Sequence, residues 1–131
     1  MKFAFAHPGD IPHVKQLLAE CTLPCEDITP AHLRHFLVVR HQTNLVGVIG
    51  LELLGSVALL RSLAVQIDFR RQRIASQLTT QAEAYARSHK VRSLYLLTTT
   101  AEGFFTKQGK RGTSVIYLHI KTDVILILYA T

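Results

Sequence analysis

Charged residues make up only 18% of the 131 positions, and no Pro/Ser-rich stretch or block of like charge interrupts the chain. Composition therefore gives no segment a reason to stay unfolded and supplies no linker, so one domain over residues 1–131 is expected. Long apolar runs are missing as well. Runs such as residues 45–54 and 124–129 fall well short of the roughly 18 residues that span a bilayer, and they read instead as buried strands. Residues 1–5 lack the apolar stretch and small-residue cleavage site of a secretory signal, which points to the cytoplasm and to no membrane partner. Cysteine is scarce: Cys21 and Cys25 stand alone. A structural disulfide would be unusual in a reducing compartment, so free thiols are expected.

Apolar and basic residues are what the chain does have. A hydrophobic content of 48% is enough to bury a core without disulfides or a structural metal. Fifteen Lys and Arg against nine Asp and Glu give a net charge of +6, which favours anionic partners. Nucleic-acid surfaces interleave basic side chains with exposed stacking aromatics, or present a long basic helix face. Here the densest cluster, Arg70, Arg71 and Arg73, is confined to one turn. That pattern suits a phosphorylated small molecule, and no nucleic acid is expected as a partner.

Asp10 is placed to cap a helix whose apolar positions Ile11, Val14, Leu17, Leu18 and Cys21 recur at three- and four-residue spacing, with Pro12 harmless in its first turn. Thr29 and Pro30 repeat the signal for a short second helix carrying Leu33. Three strand-like segments come next, residues 36–41, 45–54 and 57–65. The connections between them, Gln42-Thr43-Asn44 and Gly55-Ser56, are of hairpin length, so an antiparallel meander is expected. From Arg73 the period changes: Ile74, Leu78, Ala82 and Tyr85 share one helical face, which predicts a helix of about four turns over residues 73–88. Strand character returns at residues 93–98, and a strand–helix–strand order implies a crossover and a parallel pair. A short helix over residues 101–108, ended by Gly109, and strands around 114–120 and 124–130 complete the expected domain.

This order of elements, and particular residues within it, resemble the GNAT acetyltransferases. Leu63, Ala64 and Val65, four residues of loop, and then Arg70-Arg71-Gln72-Arg73-Ile74-Ala75 resemble the family's acetyl-CoA signature, Arg/Gln-x-x-Gly-x-Gly/Ala opening the long helix. Arg70 and Ala75 match. Arg73 stands where the family has glycine, and Arg71 where glycine is also common. Downstream, Ala101, Phe104, Phe105, Lys107 and Gly109 resemble the family's fourth-helix pattern, with Lys110 replacing the usual aromatic. More narrowly, residues 27–33, 59–65 and 94–100 resemble the N-acetyltransferases encoded in bacterial arsenic-resistance operons. The resemblance covers roughly residues 10–109.

It implies a mixed α/β fold of the GNAT acyl-CoA N-acyltransferase kind, with a central, mostly antiparallel twisted sheet and helices on both faces. It also implies an enzyme that moves an acetyl group from acetyl-CoA, its cosubstrate, to the amine of a small-molecule acceptor by direct attack on the thioester. In the arsenic-operon case that acceptor is an organoarsenical. Carried over residue by residue, the coenzyme would lie along Leu63, Ala64 and Val65. It would also meet Arg70, Arg71, Gln72, Arg73, Ile74, Ala75 and Ser76, with Phe104 and Lys107 beside it. A backbone N–H at Leu63 would polarise the thioester carbonyl. A homodimer is compatible with all of this.

Physical chemistry supports the same placement. A helix start presents unpaired N–H groups and partial positive charge to a pyrophosphate. Glycine helps by letting the backbone approach closely. Arg73 can pair with phosphate or occupy its groove. Glu52 is the candidate general base, and a solvent-facing strand position is the competing reading. Arg61 would suit an acidic acceptor. Phe105 stands where family members often have a tyrosine that protonates the leaving thiolate, and a lost general acid costs about 10²–10⁴ in rate. A second reading is therefore a GNAT-fold protein that binds acyl-CoA with weak or no catalysis. His32, His35 and Cys25 lie close in sequence, but without a paired ligand set no metal is expected.

Overall fold

A computed structural model describes residues 1–23, 25–98, 115–119 and 125–130. Two compact units emerge, Met1–Leu51 with Ser62–Ala82, and Glu52–Arg61 with Glu83–Thr131. The short helix expected over residues 101–108, with Phe104, Phe105, Lys107 and Gly109, lies outside the described residues.

In the first unit, strand β1 (Lys2–Phe5) pairs antiparallel with β2 (Phe36–His41), which pairs antiparallel with β3 (Asn44–Leu54). Sequence reasoning missed β1, a four-residue strand. The turn between β2 and β3 is tighter than the three-residue connection expected: His41 and Asn44 are partners, and Gln42 takes a positive φ of 58°. One face of this sheet carries helices α1 (Ile11–Glu20) and α2 (Pro30–Leu33). Val14, Leu17 and Leu18 of α1, Leu33 of α2, and Phe36, Val38, Val48 and Ala64 of the strands form a single buried cluster there. Successive strand residues face opposite ways, so Gly47 looks to the other side. There it meets Ile74 and Leu78 of helix α3 (Ile74–Ser88). The expected sandwich of helices on both sheet faces is thus present within this unit.

The two helix starts differ in chemistry. Thr29 caps α2 as the sequence indicates, its side chain accepting the N–H of His32. Asp10 does not cap α1 by its side chain. Its carboxylate accepts the backbone N–H of His7 at 2.8 Å and pairs with Arg40. Asp10 therefore closes the 3-10 turn Pro8–Asp10 that leads into α1. An aspartate beside a strand guanidinium gains more from the charge-assisted contact than from a cap.

In the second unit, the Val57–Leu60 part of β4 (Val57–Val65) pairs parallel with β5 (Ser93–Thr98), which pairs parallel with β7 (Ile125–Ala130). The edge strand β6 (Val115–His119) runs antiparallel to β7. The sheet is mixed, as the strand–helix–strand order requires, and the terminal pair is antiparallel. Helix α3 ends on a Schellman motif. Val91 N–H bonds to Ala86 O and Lys90 N–H to Arg87 O, with Lys90 at φ 62°.

Candidate functional site

The segment that resembles the coenzyme signature lies wholly in the first unit, between the end of β4 and the start of α3. Ser62 is buried and has a φ of 59°, a left-handed conformation inside a strand. Such a residue breaks the extended run and re-aims the chain beyond it, as a bulge does. The re-aimed end is Leu63, Ala64 and Val65, with Leu63 half-buried and the other two buried. Gln66 then anchors the chain, its N–H reaching Val46 O at 2.8 Å. A 3-10 turn, Ile67–Phe69, comes next.

Arg70 turns its side chain back onto this end of the strand. Its Nε donates to Val65 O at 2.9 Å, and its second terminal nitrogen lies 3.6 Å from Cys21 Sγ. Arg70 therefore braces the loop, and sequence reasoning had no means of seeing that role. Arg71 and Arg73 are exposed, with φ of 64° and 63°. Both occupy the left-handed region that glycine enters freely and other residues enter at a cost. Arg73 is the position where the resembling family has glycine, and Arg71 is one where glycine is also common. Exposed Gln72 lies between them.

Helix α3 begins at Ile74, one residue later than the periodicity indicated, because Arg73 takes a left-handed rather than a helical φ. Its first i→i+4 bond runs from Gln77 N–H to Arg73 O at 3.0 Å. The amides of Ile74, Ala75 and Ser76 therefore precede the first such bond, and the positive end of the helix dipole faces the loop. Ile74 is buried and fixes this turn, while Ala75 and Ser76 are half-buried. Left-handed residues, N–H groups of the first turn and exposed guanidinium groups together suit a phosphorylated ligand.

In the second unit, Glu52 and Arg61 form an ion pair of 2.9 Å, with the arginine side chain the more enclosed. The structure thus brings together the candidate base and the residue read as a contact for an acidic acceptor. Of the residues raised for a metal, His32 is engaged, its Nδ1 receiving the Thr29 N–H at 3.1 Å, while Cys25, like Cys21, is a free thiol. Among the described residues no three His, Cys, Asp or Glu side chains gather as a metal would need, and no helix is long and apolar enough to cross a membrane.

The sequence pattern of the acetyltransferase (GNAT) family matches residues 8–109. No similar sequence is found among curated proteins. Solved structures share the fold. N-acetylglutamate synthase from Neisseria gonorrhoeae, complexed with coenzyme A and N-acetyl-glutamate, superposes with a TM-score of 0.74 at 24% identity over 86% of this chain. This chain spans only 28% of that enzyme. The protein Rv2747 from Mycobacterium tuberculosis, in complex with CoA, gives a TM-score of 0.73 at 19% identity, covering 86% of this chain and 73% of that one. PaiA N-acetyltransferase from Thermoplasma acidophilum, in complex with coenzyme A, gives 0.69 at 14% identity over 98% of both chains. A pattern match over most of the chain, on a mixed sheet whose loop before α3 takes left-handed conformations at Arg71 and Arg73, means that this chain belongs to the acetyltransferase (GNAT) family, whose cosubstrate is acetyl-CoA.

Proposed function

We propose that the chain acts as a single domain that transfers an acetyl group from acetyl-CoA to the amine of a small-molecule acceptor in the cytoplasm. An organoarsenical is the acceptor its sequence resemblance suggests. One observation carries the reading: Arg71 and Arg73 take left-handed φ directly before α3, a backbone course that would suit a phosphate cradle. Gln72 through Ser76 would hold the pyrophosphate by main-chain N–H groups, with Arg71 and Arg73 adding charge from outside. Leu63, Ala64 and Val65 would bind the pantetheine arm as an added strand, and the Leu63 N–H would orient the thioester carbonyl.

Acetyl-CoA supplies the activated acyl carbon. For the amine to attack, one proton must leave its nitrogen as the new N–C bond forms and the C–S bond breaks, and CoA leaves as a thiolate that takes its proton from water. Glu52 is the candidate acceptor of the amine proton. Arg61 holds Glu52 by an ion pair, which fixes the carboxylate, and Arg61 would be the contact for an acidic group on the acceptor. The same ion pair favours the second reading, an acyl-CoA-binding protein with weak or no catalysis, since the carboxylate that would take the proton is already engaged by the guanidinium.

Thermal unfolding with and without acetyl-CoA, followed by detection of free CoA in the presence of a panel of amines, separates the readings. A ligand that binds only the native state must raise the melting temperature, by about 2.7 kcal/mol of stability at a hundredfold excess over Kd. Stabilisation with amine-dependent thiol release supports the transferase. Stabilisation without turnover supports the binding protein, and no stabilisation at millimolar acetyl-CoA refutes both.

A further inference from the structure

We infer that Gly47, on β3, is a positioning residue for coenzyme binding: it seats the first turn of α3 and so sets where the loop's amides stand. The inference rests on the coenzyme reading above, and none of its evidence comes from the signature residues themselves. A Cβ built on Gly47 would lie 3.2 Å from Ile74 Cγ2, 3.4 Å from Leu78 Cδ1 and 3.5 Å from Val39 Cβ. The first of these is tighter than ordinary van der Waals contact. Ile74 is the first residue of α3 and is buried. Its Cγ2 belongs to a β-branched side chain that is stiff at χ1, so the few tenths of an ångström it must give would press on the turn that carries the Ile74, Ala75 and Ser76 amides.

The neighbouring residue on β3 holds the other end of the same loop. Pairing with β2 steps from Val39↔Gly47 to Arg40↔Leu45, so Val46 is the extra residue of a bulge. Its carbonyl receives the Gln66 N–H at 2.8 Å. Val46 thus fixes where the loop leaves β4, and Gly47 fixes where it enters α3. A bulge and a glycine side by side, each touching one end of one loop, define its span. Recognition by main-chain N–H groups depends on that span to a fraction of an ångström.

The test is titration calorimetry with acetyl-CoA on the full chain, with ligand-free melting measured in parallel. Gly47→Ala should weaken binding about tenfold, since a full 1 Å misplacement costs about 10²-fold and the shift here is a fraction of that. Val48→Ala removes methyl groups from the opposite sheet face, in the cluster with α1. It should lower the melting temperature and leave acetyl-CoA affinity unchanged. Ile74→Ala removes the nearest obstacle, so Gly47→Ala/Ile74→Ala should bind as Ile74→Ala alone does. If Gly47→Ala does not fold, that last comparison decides: equal affinities support the inference, and clearly weaker binding by the double variant overturns it. Wild-type affinity in Gly47→Ala overturns the inference and leaves the coenzyme reading standing. Absence of binding by the wild type removes both.

Discussion

Replacing Arg73 by glycine should stabilise the ligand-free protein. Arg73 has φ 63° and is exposed, so the substitution opens no cavity. A non-glycine residue pays roughly 1–2 kcal/mol to hold a left-handed conformation. Glycine avoids that cost but loses about 0.5–1 kcal/mol more backbone entropy on folding. The net expectation is a gain of about 0.5–1 kcal/mol, which for a chain of this size is about 2–4 °C in melting temperature. Had Arg73 been the first helical residue, as the periodicity suggested, glycine there would instead cost about 1 kcal/mol. The sign of the effect thus distinguishes the two placements. Arg73→Ala is the control, since it removes the same charge and keeps the left-handed penalty. The assay is reversible thermal unfolding of the three proteins at equal pH and salt. If Arg73→Gly is no more stable than Arg73→Ala, the left-handed conformation at residue 73 is wrong, and with it the main support for the phosphate cradle.

Thr22 ends α1 with φ 57° and is β-branched, for which that region is a strong outlier. Thr22→Gly should gain about 1 kcal/mol over Thr22→Ala in urea unfolding. On α3, burial pushes the half-buried Glu83 carboxyl from 4.5 up to about 7, with the Arg87 charge opposing. The folded protein therefore holds this proton more tightly than the unfolded chain does, and stability falls as pH rises from about 4.5 to about 7. Glu83→Gln should flatten that part of the stability profile and raise the urea midpoint above pH 7. An unchanged profile would show that Glu83 ionises in the folded state as it does in the unfolded chain.

Much of the fold was legible because hydrophobic period and turn chemistry act locally. Three- and four-residue spacing marked α1 and α3, and Gly55-Ser56 marked the β3–β4 turn, where Gly55 takes φ 71°. β1 escaped because four residues give period-2 alternation too little length. The cap at Asp10 was misread because Arg40, thirty residues away, competes for the carboxylate, and no local rule sees a partner at that distance. The Glu52 to Arg61 pair was accessible in principle. Counting outward from the two-residue turn sets Glu52 opposite Leu59, with Arg61 its diagonal neighbour, within reach of two long side chains. Read together, they would have been one ion pair rather than two separate candidates.

Backbone strain locates the site more sharply than residue type does. Among the described residues six other than glycine take a positive φ: Thr22, Gln42, Ser62, Arg71, Arg73 and Lys90. Thr22 and Lys90 lie just past helix ends, and Gln42 sits in a two-residue hairpin turn. In such places a left-handed residue is the ordinary way to satisfy carbonyls or reverse a strand. The other three terminate nothing. They fall within twelve consecutive residues, at the break in β4 and on either side of Gln72 before α3. Each costs of order 1 kcal/mol or more and persists only where the surroundings over-determine it. Here the determinants are visible: Val46 O on the Gln66 N–H, Arg70 Nε on Val65 O, and Gly47 beneath Ile74. A fold that braces a strained loop from three sides, with arginine where glycine would be easier, is what the proposed phosphate cradle would need, and chain reversal alone does not call for it.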